Sequence, residues 1–219
     1  MQKAIVCINF YGHADPAVAG TPAGTAPMGA FFRSLGREGR RATTLSVVSA
    51  SRIGTPKHEN KTVSVLDYNA ALNESANKAL SNKILTGCIA ACREDVEQVF
   101  LVTGFSSGGI TAIYMARQLA TMKLNLFYIG LADAAFQRDK NGNPDDLIDH
   151  PGVIAKYKKN YYQTKQNAPD VEEIHDEVNG FSNFPLDSQL PEGIDYHQSA
   201  VSIGNKRIYN DVMWSIENC

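Results

Sequence analysis

The chain has 219 residues, of which 43% are hydrophobic, and a chain of this length can bury one full core. We therefore predict a single domain over residues 1–219. The 21 Lys and Arg residues nearly balance the 23 Asp and Glu residues, so the protein has no strong field that would recruit nucleic acid or an anionic membrane. We expect its partner to be a small molecule.

The first half of the chain alternates strand and helix patterns. Residues 3–10 (KAIVCINF) form a continuous apolar run, typical of a strand buried on both faces. A long loop rich in Gly, Ala, Pro and Thr follows, and within it residues 13–29 are a candidate lid, because long unstructured connections tend to be functional. The sequence then predicts a short helix over 28–38, a second strand over 42–49 and a helix over about 65–95.

The clearest patterns lie in the middle of the chain. A third strand is predicted over 96–104, a helix over 110–119 and a fourth strand over 124–132. Alternating strands and helices indicate the α/β class, with a mostly parallel central sheet. We expect helices on both faces of that sheet, which makes a three-layer α/β/α sandwich.

Beyond residue 133 the pattern is weaker. The segments KYKKNYYQT (156–164) and VEEIHDEV (171–178) are candidate strands. The last clear element is a helix over 204–218, where apolar residues recur every four positions and form one stripe: Ile208, Val212 and Ile216.

A nucleophile motif stands where the third strand meets the next helix. Residues 104–108, Gly104-Phe105-Ser106-Ser107-Gly108, fit the pattern G-x-S-x-G of the nucleophile elbow, a sharp turn from strand to helix. A serine at such a sharp turn needs small residues two positions before and after it, because the backbone there is crowded. Only Ser106 has glycine at both positions, since Ser107 has Phe105 two residues before it. Ser106 is therefore the predicted nucleophile.

This motif, within FLVTGFSSGG and its strand–helix context, resembles the α/β-hydrolase superfamily over most of the chain. The resemblance implies a compact α/β-hydrolase fold. It also implies a catalytic triad whose members follow one another in the order Ser, then Asp or Glu, then His.

Five histidines compete for the role of the base. His13 and His58 precede the serine, so the family's order disfavours them. His197 lies in a predicted polar loop just before the terminal helix, where hydrolases of this kind carry their base, and we predict that it is the base. His150 precedes a proline among carboxylates, which indicates a turn. His175 lies within EEIHDE and is expected to be solvated; it remains the alternative base.

The predicted acid is Asp133. It directly follows the strand over 124–132, and the carboxyl ends of parallel strands are where such sheets assemble their sites. A carboxylate after so apolar a run would be costly to bury without a partner, and a histidine provides one. The superfamily's commonest acid follows a later strand, so Asp133 resembles variants such as some lipase-like bacterial hydrolases. Asp170, Asp176 and Glu177 are rival candidates for the acid.

Two backbone N–H groups are predicted to form an oxyanion hole. The N–H of Ser107 lies at the start of a helix, where the dipole favours a developing negative charge. The second N–H is expected from Tyr11 in INFYGHAD, a loop that resembles the His-Gly loop of lipases. The neighbouring His13 is either a substrate contact or a loop histidine.

Motifs for metals and nucleotides are lacking in the sequence. Cys88 and Cys92 have no nearby His or Cys pair that would complete a zinc site. The segment that begins at Asp139 starts like a calcium loop, but Pro144 stands at the required glycine and His150 at the required glutamate. No phosphate-binding glycine motif follows the first strand. We predict neither metal nor cofactor.

Targeting signals are not visible either. The apolar run near the N-terminus is too short for a signal peptide, and no other stretch approaches the roughly 18 apolar residues of a membrane span. We expect a cytoplasmic protein without stable membrane insertion; export by a leaderless route, or after removal of a leader, stays open.

Two classes of function are consistent with these features. The first is a serine esterase, lipase-like, which acts on carboxylic esters through an acyl-enzyme, with thioesters and amides as alternative substrates. The second is a non-catalytic binding protein for small molecules that has kept the nucleophile elbow without a working triad.

Overall fold

A computed structural model describes residues 2–12, 46–49, 61–69, 81–82, 85–86, 96–137, 146–165, 173–192 and 196–219. Several predicted features lie outside these residues. They include the candidate lid, the short helix over 28–38, the calcium-like segment, His13, His58 and Asp170.

Nine strands are described, and seven of them form one sheet. The strands are β1 (Gln2–Tyr11), β2 (Ser46–Ser49), β3 (Lys61–Asn69), β4 (Val96–Phe105), β5 (Leu126–Ala132), β6 (Phe136–Gln137), β7 (Tyr157–Tyr162), β8 (Glu173–Ile174) and β9 (Ser182–Pro185). The order across the large sheet is β2-β3-β1-β4-β5-β7-β9, and β6 pairs with β8 separately. Within the large sheet all pairs are parallel except β2 with β3. The predicted α/β class with a mostly parallel sheet is confirmed.

The described helices are α1 (Ser107–Thr121), the short α2 (Asp146–Asp149) and α3 (Tyr196–Asn218). Within the described residues, none of them combines the length and the hydrophobicity that crossing a membrane would require.

Strand β1 is buried on both faces, as its continuous apolar run predicts. Alternate side chains of β1 belong to two separate cores. Val6, Ile8 and Phe10 pack in the core that α1 covers. Ile5 and Cys7 pack in the second core, to which α3 contributes Ala200, Ile208, Val212 and Ile216.

The prediction of a helix from about residue 65 was wrong at its start. Residues Lys61–Asn69 form β3, which pairs with β1 in parallel from Lys3 with Lys61 to Tyr11 with Asn69. The sequence there alternates apolar and polar residues at Val63, Ser64 and Val65, a period of two that favours a strand. Helical spacing applies only farther along, where residues 81–82 and 85–86 are helical.

Boundaries near the C-terminus also differ from the prediction. Helix α3 begins at Tyr196, eight residues before the predicted start at 204. His197 therefore lies in the first turn of this helix and not in a loop. Among the described residues of the candidate strand over 171–178, Glu173 and Ile174 form β8 and the rest are not in a strand; β9 was not predicted.

Packing of α3 on the sheet generates a stability prediction. The side chain of Ile208 is 1% exposed, whereas that of Ile154 is 74% exposed. We expect Ile208→Ala to lower the free energy of unfolding by about 2–5 kcal/mol, because it leaves a cavity in the core. Ile154→Ala removes the same atoms from the surface and should change the free energy of unfolding by less than about 0.5 kcal/mol. Urea denaturation measures both; equal effects would contradict the described packing of α3.

Candidate active site

The turn from β4 into α1 carries Ser106. Its backbone has φ 53° and ψ −136°, a conformation that costs a non-glycine residue about 1–3 kcal/mol. A Cβ at Gly104 would overlap the carbonyl oxygen of Gly108, and one at Gly108 would overlap that of Phe10. The glycines of the motif are therefore required because backbone segments approach closely at this turn.

Backbone hydrogen bonds hold this strained turn in place. The N–H of Ser106 donates to the carbonyl of Ala132 over 3.2 Å. The carbonyl of Ser106 accepts the N–H groups of Gly109 and Ala135, at 2.9 and 3.2 Å. Since Ala132 and Ala135 flank Asp133, the elbow is fixed to the segment that carries the predicted acid.

Ser106, His197 and Asp133 lie in one hydrogen-bonded line. The Nε2 atom of His197 is 3.0 Å from the Oγ atom of Ser106. The Nδ1 atom of His197 is 2.6 Å from the Oδ2 atom of Asp133. A carboxylate only accepts, so Nδ1 carries the proton, and Nε2 is left to accept the serine hydroxyl. The structure thus brings together the three side chains that the sequence singled out.

Each of these side chains comes from a different element. Ser106 follows β4, Asp133 follows β5, and His197 lies in the first turn of α3. Because β4 and β5 are parallel neighbours, both of their carboxyl ends reach the same edge of the sheet. That edge is where open α/β sheets assemble binding and catalytic sites.

The carboxylate of Asp133 is fully buried, with 0% exposure. Its Oδ1 atom accepts the backbone N–H of Gln163 at 3.1 Å and lies 3.3 Å from Nδ1 of His175. Burial alone would raise the pKa of Asp133, but hydrogen bonds from His175 and His197 outweigh it, and the pKa lies below its ordinary value. Asp133 is therefore ionised at neutral pH.

His175 is buried, which corrects the expectation that it would be solvated. Only 3% of this residue is exposed, and its ring centroid lies 4.9 Å from that of His197. The reason is the pairing of β8 with β6, in which Ile174 lies opposite Phe136, three residues after Asp133. His175 follows directly, and its Nδ1 atom lies 3.3 Å from Oδ1 of Asp133.

Asp176, Glu177 and His150 make contacts outside the line of Ser106, His197 and Asp133. The carboxylate of Asp176 accepts the N–H of Glu177, and that of Glu177 accepts the Tyr162 hydroxyl. His150 is exposed at the end of α2, and its carbonyl accepts from Arg117, in agreement with a turn. None of these three side chains therefore competes with Asp133 or His197 for a place beside the serine.

One group of described residues could hold a metal ion, namely Asp133, His175 and His197. Each offers one ligand atom, and these atoms lie within 4.8 Å of one another. Two ligand atoms on one tetrahedral zinc ion lie about 3.3 Å apart, given metal–ligand bonds of about 2 Å. The 2.6 Å between Asp133 and His197 is shorter and fits a shared proton. The spacing of Asp133 and His197 is therefore that of a hydrogen-bonded pair.

The end of β1 lies against the elbow. A Cβ at Gly12 would come within 2.9 Å of the Cβ of Ser106 and 3.3 Å of its Oγ. The ring of Tyr11 meets that of Phe105 edge to face, with centroids 5.3 Å apart. Ser107 begins α1, so its N–H is among the first-turn groups without an intrahelical acceptor. Both predicted oxyanion donors remain predictions, and Gly12, which no motif singled out, lies beside Ser106.

Comparisons with known proteins identify no family. No protein-family model and no curated protein matches the chain. Among solved structures, the Tle1 effector bound to the VgrG spike of the type 6 secretion system is similar over 85% of this chain, with 13% identity and a TM-score of 0.45. This chain spans about half, 49%, of the length of that one.

A second solved structure is the thioesterase domain SrfTE, which cyclises the lipopeptide antibiotic surfactin. It matches over 94% of this chain and 90% of its own, with 10% identity and a TM-score of 0.38. Both scores are below 0.5, so neither likeness assigns a chemistry to this site.

The contact at Gly12 generates a prediction about the reactivity of Ser106. We expect Gly12→Ala to slow phosphonylation of Ser106 by a fluorophosphonate at least tenfold, because the new methyl group displaces the hydroxyl from Nε2 of His197. Thermal stability of the same variant should also fall, because the Cβ of Ser106 lies 2.9 Å from the new methyl group and can move only together with its backbone. A labelling rate equal to that of the parent protein would contradict this account.

Proposed function

We propose that this protein is a serine hydrolase of the α/β-hydrolase type that cleaves carboxylic esters. The observation that carries the proposal is the unbroken line from Oγ of Ser106 through the imidazole of His197 to the carboxylate of Asp133, at 3.0 and 2.6 Å. A nucleophile, a base and an orienting acid within hydrogen-bond reach are the features of nucleophilic acyl transfer.

In the first half of the reaction, Ser106 attacks the carbonyl carbon of the ester. His197 takes the hydroxyl proton on Nε2, while Asp133 holds the imidazole in the required tautomer and stabilises its positive charge. Collapse of the tetrahedral intermediate breaks the bond to the alcohol oxygen, which receives the proton from His197. The products of this half are a free alcohol and an acylated Ser106.

In the second half, water attacks the acyl-enzyme. His197 takes a proton from the water and returns it to Oγ of Ser106 as the carboxylic acid leaves. In both halves the oxyanion is stabilised by backbone N–H groups, for which Ser107 and Tyr11 are the proposed donors. The positive end of α1 adds to this stabilisation, because α1 begins at the residue after the nucleophile.

The proposed substrate is a small ester or a lipid-like ester. Thioesters and amides are alternative substrates for the same groups, since all three undergo attack at an acyl carbon. A protein that only binds small molecules is the competing class of function, and it would not require an activated serine. The strained backbone of Ser106 favours an enzyme, because such strain concentrates at catalytic sites.

Labelling with a fluorophosphonate tests the nucleophile. We expect rapid stoichiometric modification that peptide mapping assigns to Ser106, and no modification of Ser106→Ala. Ser188→Ala, a change at an exposed serine far along the chain, serves as the matched control and should be labelled like the parent protein. If the parent protein resists the reagent, the enzyme proposal fails and the binding protein is favoured.

Hydrolysis of p-nitrophenyl esters of graded chain length tests the acid. We expect Asp133→Asn to lower kcat by about 10⁴-fold, because an amide at this position favours the wrong tautomer of His197. Release of p-nitrophenol measures the rate, and the chain length that gives the highest kcat/KM defines the acyl pocket. A loss of less than tenfold would exclude Asp133 as the orienting acid.

A further inference from the structure

A second buried histidine contacts the same carboxylate as the proposed base. His175 is 3% exposed, and its Nδ1 lies 3.3 Å from Oδ1 of Asp133. The triad mechanism gives this residue no part. A histidine buried against a carboxylate that is 0% exposed changes how the negative charge of that carboxylate is distributed.

The two oxygens of Asp133 have different partners. Oδ2 faces only His197 among the hydrogen bonds of the described residues, at 2.6 Å. Oδ1 faces the N–H of Gln163 at 3.1 Å and Nδ1 of His175 at 3.3 Å. Two groups on Oδ1 restrict rotation of the carboxylate about its Cβ–Cγ bond, and this keeps Oδ2 directed at the base.

We propose that His175 is a positioning residue for the acid: through the 3.3 Å contact of its Nδ1 atom with Oδ1, it holds the carboxylate of Asp133 in place and withdraws part of that carboxylate's charge from His197. This inference rests on the proposed hydrolase function. It deepens that function, because it assigns to the site a fourth side chain that sets the pH range in which the base is unprotonated.

The direction of the pH effect follows from charge sharing. The catalytic base must be neutral, and a carboxylate whose charge is partly held by His175 stabilises the imidazolium form of His197 less. His175 therefore extends activity toward lower pH.

Two ionisable groups that follow His175 in the chain contact other partners. Within the part of the chain that the structure describes, Asp133 after β5 and His197 on α3 both contact His175 from packed elements. On its own segment, the carboxylate of Asp176 accepts the N–H of Glu177, and Glu177 accepts the hydroxyl of Tyr162 from β7. His175 thus contacts both the acid and the base of the proposed triad.

The test compares His175→Leu with His175→Asn in the full chain. Leucine and asparagine have nearly the same shape, but only the asparagine amide places an N–H donor where Nδ1 of histidine lies. We expect the leucine variant to lose about tenfold or more in kcat/KM for a p-nitrophenyl ester, since hydrogen bonds to charged groups contribute more than neutral ones. The acid limb of its pH–rate profile, the fall of kcat/KM at low pH, should move to higher pH by about one unit.

The asparagine variant should retain an acid limb and a kcat/KM close to those of the parent protein. Should the leucine variant fail to fold, as thermal unfolding would show, His175→Phe keeps the ring without the donor and should show the same shift. Identical pH profiles for the donor-free variant and the asparagine variant would overturn the inference.

The same experiment distinguishes failure of the proposed hydrolase function from failure of the role proposed for His175. If Ser106 is not an active nucleophile, the parent protein neither hydrolyses the ester nor reacts with a fluorophosphonate. If the parent protein does both and the donor-free variant keeps its acid limb in place, only the role of His175 is wrong.

Discussion

The buried carboxylate of Asp133 is the constraint on which the site depends. An ionised group at 0% exposure costs several kcal/mol in desolvation unless hydrogen bonds compensate for it. It accepts hydrogen bonds from Gln163 after β7 and His197 in α3, and Nδ1 of His175, after β8, lies 3.3 Å from its Oδ1 atom. Folding of these distant segments therefore creates the ionised acid, and the acid in turn fixes where those segments meet.

The elbow at Ser106 adds a steric constraint. The end of β1, the end of β4 and the start of α1 come so close that Gly104 and Gly108 leave no space for a side chain. This close packing puts the serine into a left-handed conformation, and hydrogen bonds to Ala132 and Ala135 hold it there. Because those two residues flank Asp133, strain at the nucleophile and burial of the acid are parts of one rigid arrangement.

The sequence predicted the parts of this arrangement that depend on local pattern. The spacing of the glycines predicted the elbow. The place of Asp133 directly after an apolar strand predicted the acid, and the alternation of strands and helices predicted the α/β class. Burial of His175 could not be predicted in the same way, because it depends on the pairing of β8 with β6, two strands of two residues each. The charged neighbours of His175 indicated solvent, and the only local signal against that was the apolar Ile174 before it. The early start of α3 was missed because the polar residues around His197 indicated a loop.

Helix α3, which carries the base, is also bound to the strands that lead to the acid. Asp211, on this helix, accepts the hydroxyls of Tyr128 and Tyr161 and pairs with the ammonium of Lys159. Burial and Asp211 raise the pKa of Tyr128 well above its ordinary value, so its hydroxyl stays a donor. His197 lies fourteen residues earlier, about 21 Å along the helix axis. Tyr128 belongs to β5, and Tyr161 and Lys159 belong to β7, the strands that lead to Asp133 and Gln163. The same two strands therefore hold both the acid and the helix of the base, and this supports the hydrogen bond between Asp133 and His197 from outside the site.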